Sequence, residues 1–133
     1  MKAPGLSMVT LVVPAMDEAI EHFTNDWGFA LVEDSLHVSG HRWVELTTGG
    51  LARLRLAEAR SEAQRRAIGN QTGEAVAFFL VIADFHQTIA RWEDTAIQIL
   101  EAPRDESYGR VVVVQDRYGN RWDVFDKDYA PSQ

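Results

Sequence analysis

The chain has 133 residues, 46% of them hydrophobic and 25% charged, with 13 basic side chains against 20 acidic ones and a formal net charge of −7. That length favours one domain with a real core over two independent ones. The acidic balance excludes a nucleic-acid partner, whose phosphates demand a basic surface, and leaves cationic or neutral small molecules as the more natural ligands. With no cysteine in the chain, disulfides, thiolate metal sites and cysteine nucleophiles are excluded as well.

The opening stretch MKAPGLSMVTLVVP holds one short apolar run that ends at Pro14. It lacks the long apolar region of a secretion signal, and no later stretch approaches the length of a membrane span. The expected location is cytoplasmic, with no membrane partner. Residues 8–13, MVTLVV, read as a buried strand closed by the proline. The period then changes. Ile20, Phe23 and Trp27 recur at i, i+3 and i+7, the apolar stripe of a helix. Asp17 and Glu18 stand where carboxylates favour the helix dipole, and Gly28 stands at the closing cap. Strands are predicted at 30–34, 41–47 and 51–57, separated by Ser39-Gly40 and Gly49-Gly50 turns.

A polar connector, 59–74, is predicted to hold a short helix capped by Ser61 and closed by Gly69, its charges forming a solvated face. A strand at 76–82 follows, then Asp84 and Gln87 at capping-box spacing. Phe85, Ile89, Trp92 and Ala96 make a second helical stripe, and Trp27 and Trp92 are assigned to the core. The last strands are predicted at 98–101, 110–115 and 120–126, the final turn being Tyr118-Gly119-Asn120. The tail, 127–133, reads as a frayed end.

The second half repeats the first at a constant offset of 69 residues: Leu11-Val12 falls on Leu80-Val81, Ile20 on Ile89, Phe23 on Trp92, Trp43 on Val112 and Gly50 on Gly119. The expected architecture is α+β, with two βαβββ modules at 6–58 and 75–126. The stretches MVTLVVPAMDEAIEHFTNDWGF, RWVEL, AFFLVIADF and SYGRVVVVQDRYGNRWDVF carry a resemblance to the vicinal oxygen chelate superfamily. That superfamily includes glyoxalases, extradiol dioxygenases, fosfomycin-modifying enzymes and bleomycin-binding resistance proteins. The resemblance spans about residues 6–126 and is carried most specifically by the Asp-x-x-Gly-Asn turn before a strand with an inward acid.

The resemblance implies curled mixed sheets with helices outside, a cavity inside each sheet, a divalent metal held from the first and last strands of each module, and assembly as a homodimer. Carried over residue by residue, the metal places fall on Met8, Leu54, Ala77 and Asp123. A divalent cation needs imidazole or carboxylate donors, usually three or more, and here one carboxylate stands among a thioether and two aliphatic side chains. No resident cofactor is therefore expected.

Asp123 is left as either half of a cross-strand ion pair, with Arg53, Arg55, Arg110 or Arg121, or a polar anchor for a ligand's donor or cation. Trp43 and Phe79 would give the pocket aromatic walls, and Tyr108 a hydroxyl at its mouth. His41 and Glu45 share a strand face with Trp43 by alternation and count as polar cavity groups. Arg110 and Arg121 complete the candidate ligand-binding set, whereas His22 and His86 are expected on solvated helix surfaces. The expected function is that of a small-molecule binding protein of the glyoxalase/bleomycin-resistance type. One alternative is an enzyme whose divalent metal is held by His41, Glu45 and Asp123; another is a structural or regulatory dimer with a filled cavity.

Overall fold

The computed structural model describes residues 3–128, so the predicted tail lies outside the described residues from 129 on. The chain divides into two compact units, Met1–Ile68 and Gly69–Gln133. In the first, β1 (Met8–Val13) leads into α1 (Met16–Glu21), which continues through a π turn at His22–Asp26. β2 (Ala30–Leu36), β3 (Arg42–Thr47), β4 (Arg53–Glu58) and α2 (Glu62–Ala67) follow. The sheet order is β1-β4-β3-β2, parallel between β1 and β4 and antiparallel elsewhere.

The second unit holds β5 (Phe78–Ile82), α3 (Phe85–Trp92), β6 (Gln98–Ile99), β7 (Arg104–Glu106), β8 (Gly109–Gln115) and β9 (Arg121–Asp126). Its order is β5-β9-β8-β6, with β7 also on β8 and β5 parallel to β9. The two mixed sheets with few helices are the α+β architecture that the periodicities predict. β7 escapes prediction because Arg-Asp-Glu has no apolar alternation to signal a strand.

One face of each sheet is core. In the first unit Leu11, Val13, Val44, Leu46, Leu54 and Leu56 are buried together with Met16, Ala19, Phe23, Trp27 and Phe29. The Phe23 and Phe29 rings stack at 6.2 Å. In the second unit the corresponding face is Val112, Val114, Trp122 and Val124, buried with Phe85, Ile89 and Trp92 from α3. The stripe closes on Ile97 rather than the predicted Ala96, because α3 ends at Trp92 and the chain has left helical period by then.

Of three local expectations, the first holds and the other two do not. Ser61 caps α2, accepting the Gln64 N–H at 3.1 Å. Asp84 makes no such bond: its backbone is left-handed, at φ 49° and ψ 52°, where its carboxylate makes no cap hydrogen bond, so the predicted capping box does not form. His22 is not a solvated helix residue but is 3% exposed. The π turn inserts one residue into the helical period and turns His22 inward. Its Nδ1 meets Asp26 Oδ2 at 2.7 Å, while its Nε2 accepts the Trp27 indole N–H at 3.1 Å.

Those two contacts assign the proton to Nδ1 and make His22 the polar tie that closes the turn. Replacing it with leucine is expected to cost about 1–3 kcal/mol, because the buried Trp27 indole and the half-buried Asp26 carboxylate each lose a partner. Urea titrations of His22→Leu and wild type, followed by tryptophan fluorescence, measure it.

Register decides which residues share a face. β1 pairs with residues 45 positions on, Met8 with Arg53 and Thr10 with Arg55. β5 pairs with residues 44 positions on, Phe78 with Trp122 and Phe79 with Asp123. The offset of 69 therefore holds from β1 through α1 but drops to 68 in the last two strands, where Val44 opposite Leu56 matches Val112 opposite Val124. The first unit carries one extra residue between helix and third strand, an interval containing the β2 bulge between Leu31 and Glu33. A one-residue slip moves a side chain to the other face. The residue equivalent to Asp123 is thus Arg55, and the expected match with Leu54 is corrected: Leu54 is core.

Candidate functional site

The non-core face of the first unit carries Met8, Thr10 and Val12 from β1, Arg53, Arg55 and Ala57 from β4, and Trp43 and Glu45 from β3. Glu45 is 8% exposed and both its oxygens are engaged. Oε2 accepts the Trp43 indole N–H at 2.7 Å and Oε1 the Arg53 guanidinium at 3.1 Å. The Trp43 hydrogen bond first, then Arg53, holds its carboxyl below the ordinary range. Arg55 lies over the Trp43 ring, 4.5 Å from its centre, and its buried Nε has no hydrogen-bond partner.

His41 does not join Glu45. It precedes β3, is exposed, and its Nε2 contacts Arg60 Nη1. A cavity of about 380 Å³ opens on this unit, lined by Thr10, Val12, His41, Arg55 and Arg60 among others. That volume lies within the range of small-molecule sites.

On the non-core face of the second unit Asp123 sits between Phe79 on β5 and Val113 on β8, with Ala77 just ahead on the same face. Its Oδ1 is buried without a hydrogen-bond partner. Burial pushes its carboxyl above the ordinary range; Arg104 opposes this and Glu101 reinforces it. Around it the face is aromatic. Phe79, 67% exposed, stacks on Phe125 at 6.3 Å, and the Tyr108 ring, 62% exposed, meets Phe125 edge-on at 6.2 Å.

The candidate arginines separate. Arg53 is held by Glu45, and Arg121, on the Asp123 face, lines a second cavity of about 180 Å³ beside Gly69 and Asn120. Arg110 belongs to the opposite face: it bonds Asp105 at 3.0 Å and Asp126 at 3.4 Å and meets His86 of α3 at 3.1 Å. Its expected place in the ligand set is therefore corrected, since residues 110 and 112 alternate away from 111 and 113. Sequence reasoning missed Arg104 and Glu101, which approach Asp123 from the irregular stretch around β7. No periodic signal could have found them.

At the places the resemblance assigns to a metal, the first unit presents Met8 and Arg55 and the second Ala77 and Asp123, so neither unit by itself offers there the three imidazole or carboxylate donors that a divalent cation usually takes. Among the described residues no three of His, Cys, Asp and Glu cluster as metal ligands.

The pattern of the glyoxalase/bleomycin resistance protein/dioxygenase superfamily matches residues 5–124. The chain belongs to that superfamily. It is 37% identical over 119 residues to an uncharacterized protein of Shewanella frigidimarina (strain NCIMB 400), covering 87% of this chain and 88% of that one. Its fold is similar to that of UcmS2, with a TM-score of 0.77 and 21% identity over 94% of this chain and 98% of the other. It is also similar to TnmS3, an antibiotic binding protein from Streptomyces sp. CB03234, with a TM-score of 0.70 and 20% identity over 99% of both chains. Within this superfamily member, no helix among the described residues is long and apolar enough to cross a membrane.

Proposed function

We propose that this superfamily member is a small-molecule binding protein that works without a metal, and that Asp123 anchors a ligand's cation or hydrogen-bond donor. The observation that carries the reading is the unpartnered Oδ1 of Asp123 on a face walled by Phe79, Phe125 and Tyr108. A desolvated acceptor is a standing cost to the fold, and a cation meeting it is also attracted by the aromatic faces beside it. The surplus of acids suits a cationic ligand, and the fold likeness to an antibiotic binding protein is in keeping with sequestration. Dimerisation, a cytoplasmic location and the absence of catalysis belong to the same proposal.

The test joins metal analysis to binding and stability. Protein purified without chelators should hold far less than one divalent ion per chain; about one tightly held ion would sink the reading. Asp123→Asn should weaken binding of cationic aromatic dyes by about tenfold, the loss of one charge-assisted contact. The same variant should be more stable than wild type at neutral pH by on the order of 1 kcal/mol, since a buried unpaired acceptor is relieved of its charge.

The sign follows from linkage. The folded carboxyl sits above its ordinary value of 3.8, so the native state binds the proton more tightly. Wild-type stability from this group is fully present below pH 3.8 and is lost as pH rises through the higher folded value. The gap to Asp123→Asn should open over that interval and vanish on the acid side. A variant less stable than wild type at pH 7 would show that Asp123 is ion-paired instead.

A further inference from the structure

We infer that the cavity of the first unit is a subsite for an anionic small molecule, its carboxylate or phosphate group received by Arg55 and Arg60. This goes beyond the Asp123 reading, because it concerns a different face and ligands of the opposite charge.

Three observations converge. First, the cavity, about 380 Å³ in volume, is lined by Arg42, Arg55, Arg60 and His41, with Thr10 and Gln64 as neutral polar groups. That is a cationic lining in a chain whose net charge is −7.

Second, Asp17, Asp34, Glu45 and Glu58 are engaged by groups other than Arg55 and Arg60. Arg42 is the one lining arginine they answer: Asp34 binds it at 2.8 Å through both oxygens, and Asp17 adds a contact at 2.6 Å. Glu45 serves Trp43 and Arg53. Glu58, the carboxylate in the lining, accepts the Met16 backbone N–H at 2.9 Å. Among the described residues neither Arg55 nor Arg60 has an ion pair with a carboxylate.

Third, Arg55 is oriented but unsatisfied. Its guanidinium is stacked on Trp43, and its buried Nε lacks a partner. Stacking uses the face of the guanidinium and leaves the in-plane donors, the ones that match carboxylate and phosphate oxygens. Register adds a contrast: Arg55 occupies the position that Asp123 holds in the second unit, so the two repeats present opposite charges from equivalent places.

The experiment titrates the full ¹⁵N-labelled chain with inorganic phosphate, and separately with benzoate, at low ionic strength, following the arginine Nε–H signals. The Arg55 signal should shift saturably with at least one probe, and the stronger probe tells phosphate from carboxylate recognition. Arg60→Gln and Arg55→Met should each weaken that binding by about tenfold or more, while Asp123→Asn leaves it within about twofold.

Near-UV circular dichroism checks that the variants are folded. Should Arg55→Met unfold, the exposed Arg60 site carries the comparison alone. A saturable response of neither probe at Arg55, or unchanged binding in folded Arg60→Gln, overturns the proposal. So does equal loss in Asp123→Asn, which would mean that the two faces are not separate sites. Failure of the dye test at Asp123 with an intact response here would sink only the earlier reading.

Discussion

Replacing Asp116 with alanine is expected to lower the free energy of unfolding by roughly 3–5 kcal/mol. Asp116 is 2% exposed, and its carboxylate gathers side-chain and backbone donors of the turn between β8 and β9. Its Oδ1 accepts the backbone N–H of Tyr118 at 2.9 Å and of Asn120 at 3.0 Å. Its Oδ2 accepts the Asn120 amide at 2.9 Å and the Trp122 indole at 3.0 Å. The backbone closes the same turn, Asp116 N–H to Asn120 O at 2.9 Å and Gly119 N–H to Asp116 O at 3.1 Å.

Alanine strands these donors in the interior and leaves the register of β9, and so the placement of Asp123, without its clamp. Asp116→Asn keeps one acceptor oxygen and should lose roughly half as much. Urea midpoints compared by tryptophan fluorescence and far-UV circular dichroism decide it. A midpoint for Asp116→Ala within error of wild type would show that the turn holds without the carboxylate.

The second large effect is expected at Gly69. A Cβ built there would stand 2.0 Å from the Tyr118 carbonyl oxygen, 3.0 Å from its carbon and 3.1 Å from Gly119 Cα, all backbone atoms that cannot swing aside. Its φ of +68° adds the strain of a left-handed conformation. Gly69→Ala should cost about 3 kcal/mol or more, the overlap outweighing the backbone strain. Gly73 separates the two causes: its φ is +69°, yet a Cβ there meets nothing within 4 Å. Gly73→Ala should therefore cost only about 1 kcal/mol. Equal losses at the two positions would mean that the Tyr118 turn yields to the new methyl group. Both substitutions are read by thermal unfolding followed at 222 nm.

These two sites show how unevenly the site was legible. The DRYGN stretch announced a turn from its Tyr-Gly-Asn composition, and the resemblance marked it, but its carboxylate reads as one more acid in a sequence of 20 acids. Only the folded turn makes it an acceptor for two side chains and two backbone amides. By sequence alone Gly69 is the closing residue of the short α2 helix, a local role. Its contact with Tyr118 joins residues far apart in sequence, which local patterning does not encode. His22 departs from the sequence pattern for a related reason: the i, i+3, i+7 stripe assumes an unbroken α-helix, and the π turn at His22–Asp26 breaks that period.

The candidate ligand set divides along the same line. Trp43 and Glu45 share a face of β3 as alternation predicts, because period two is a local property of an extended chain. Arg110 fell on the wrong side because alternation orders residues within a strand without saying which parity meets the helix. The match of Leu54 with Asp123 failed because a repeat at one offset cannot reveal a single-residue difference between helix and third strand.

By itself the sequence determined most strand and helix segments and the twofold βαβββ repeat, since these rest on periods and turns within a few residues, and its motifs carried the resemblance to the superfamily; β7 and the π turn escaped it. Tertiary structure alone decided that Arg55 and Asp123 occupy equivalent places, that Asp116 and His22 are buried ties, and that Arg104 and Glu101 flank Asp123. Those outcomes depend on register between strands distant in the chain, where one residue more or less exchanges core for cavity.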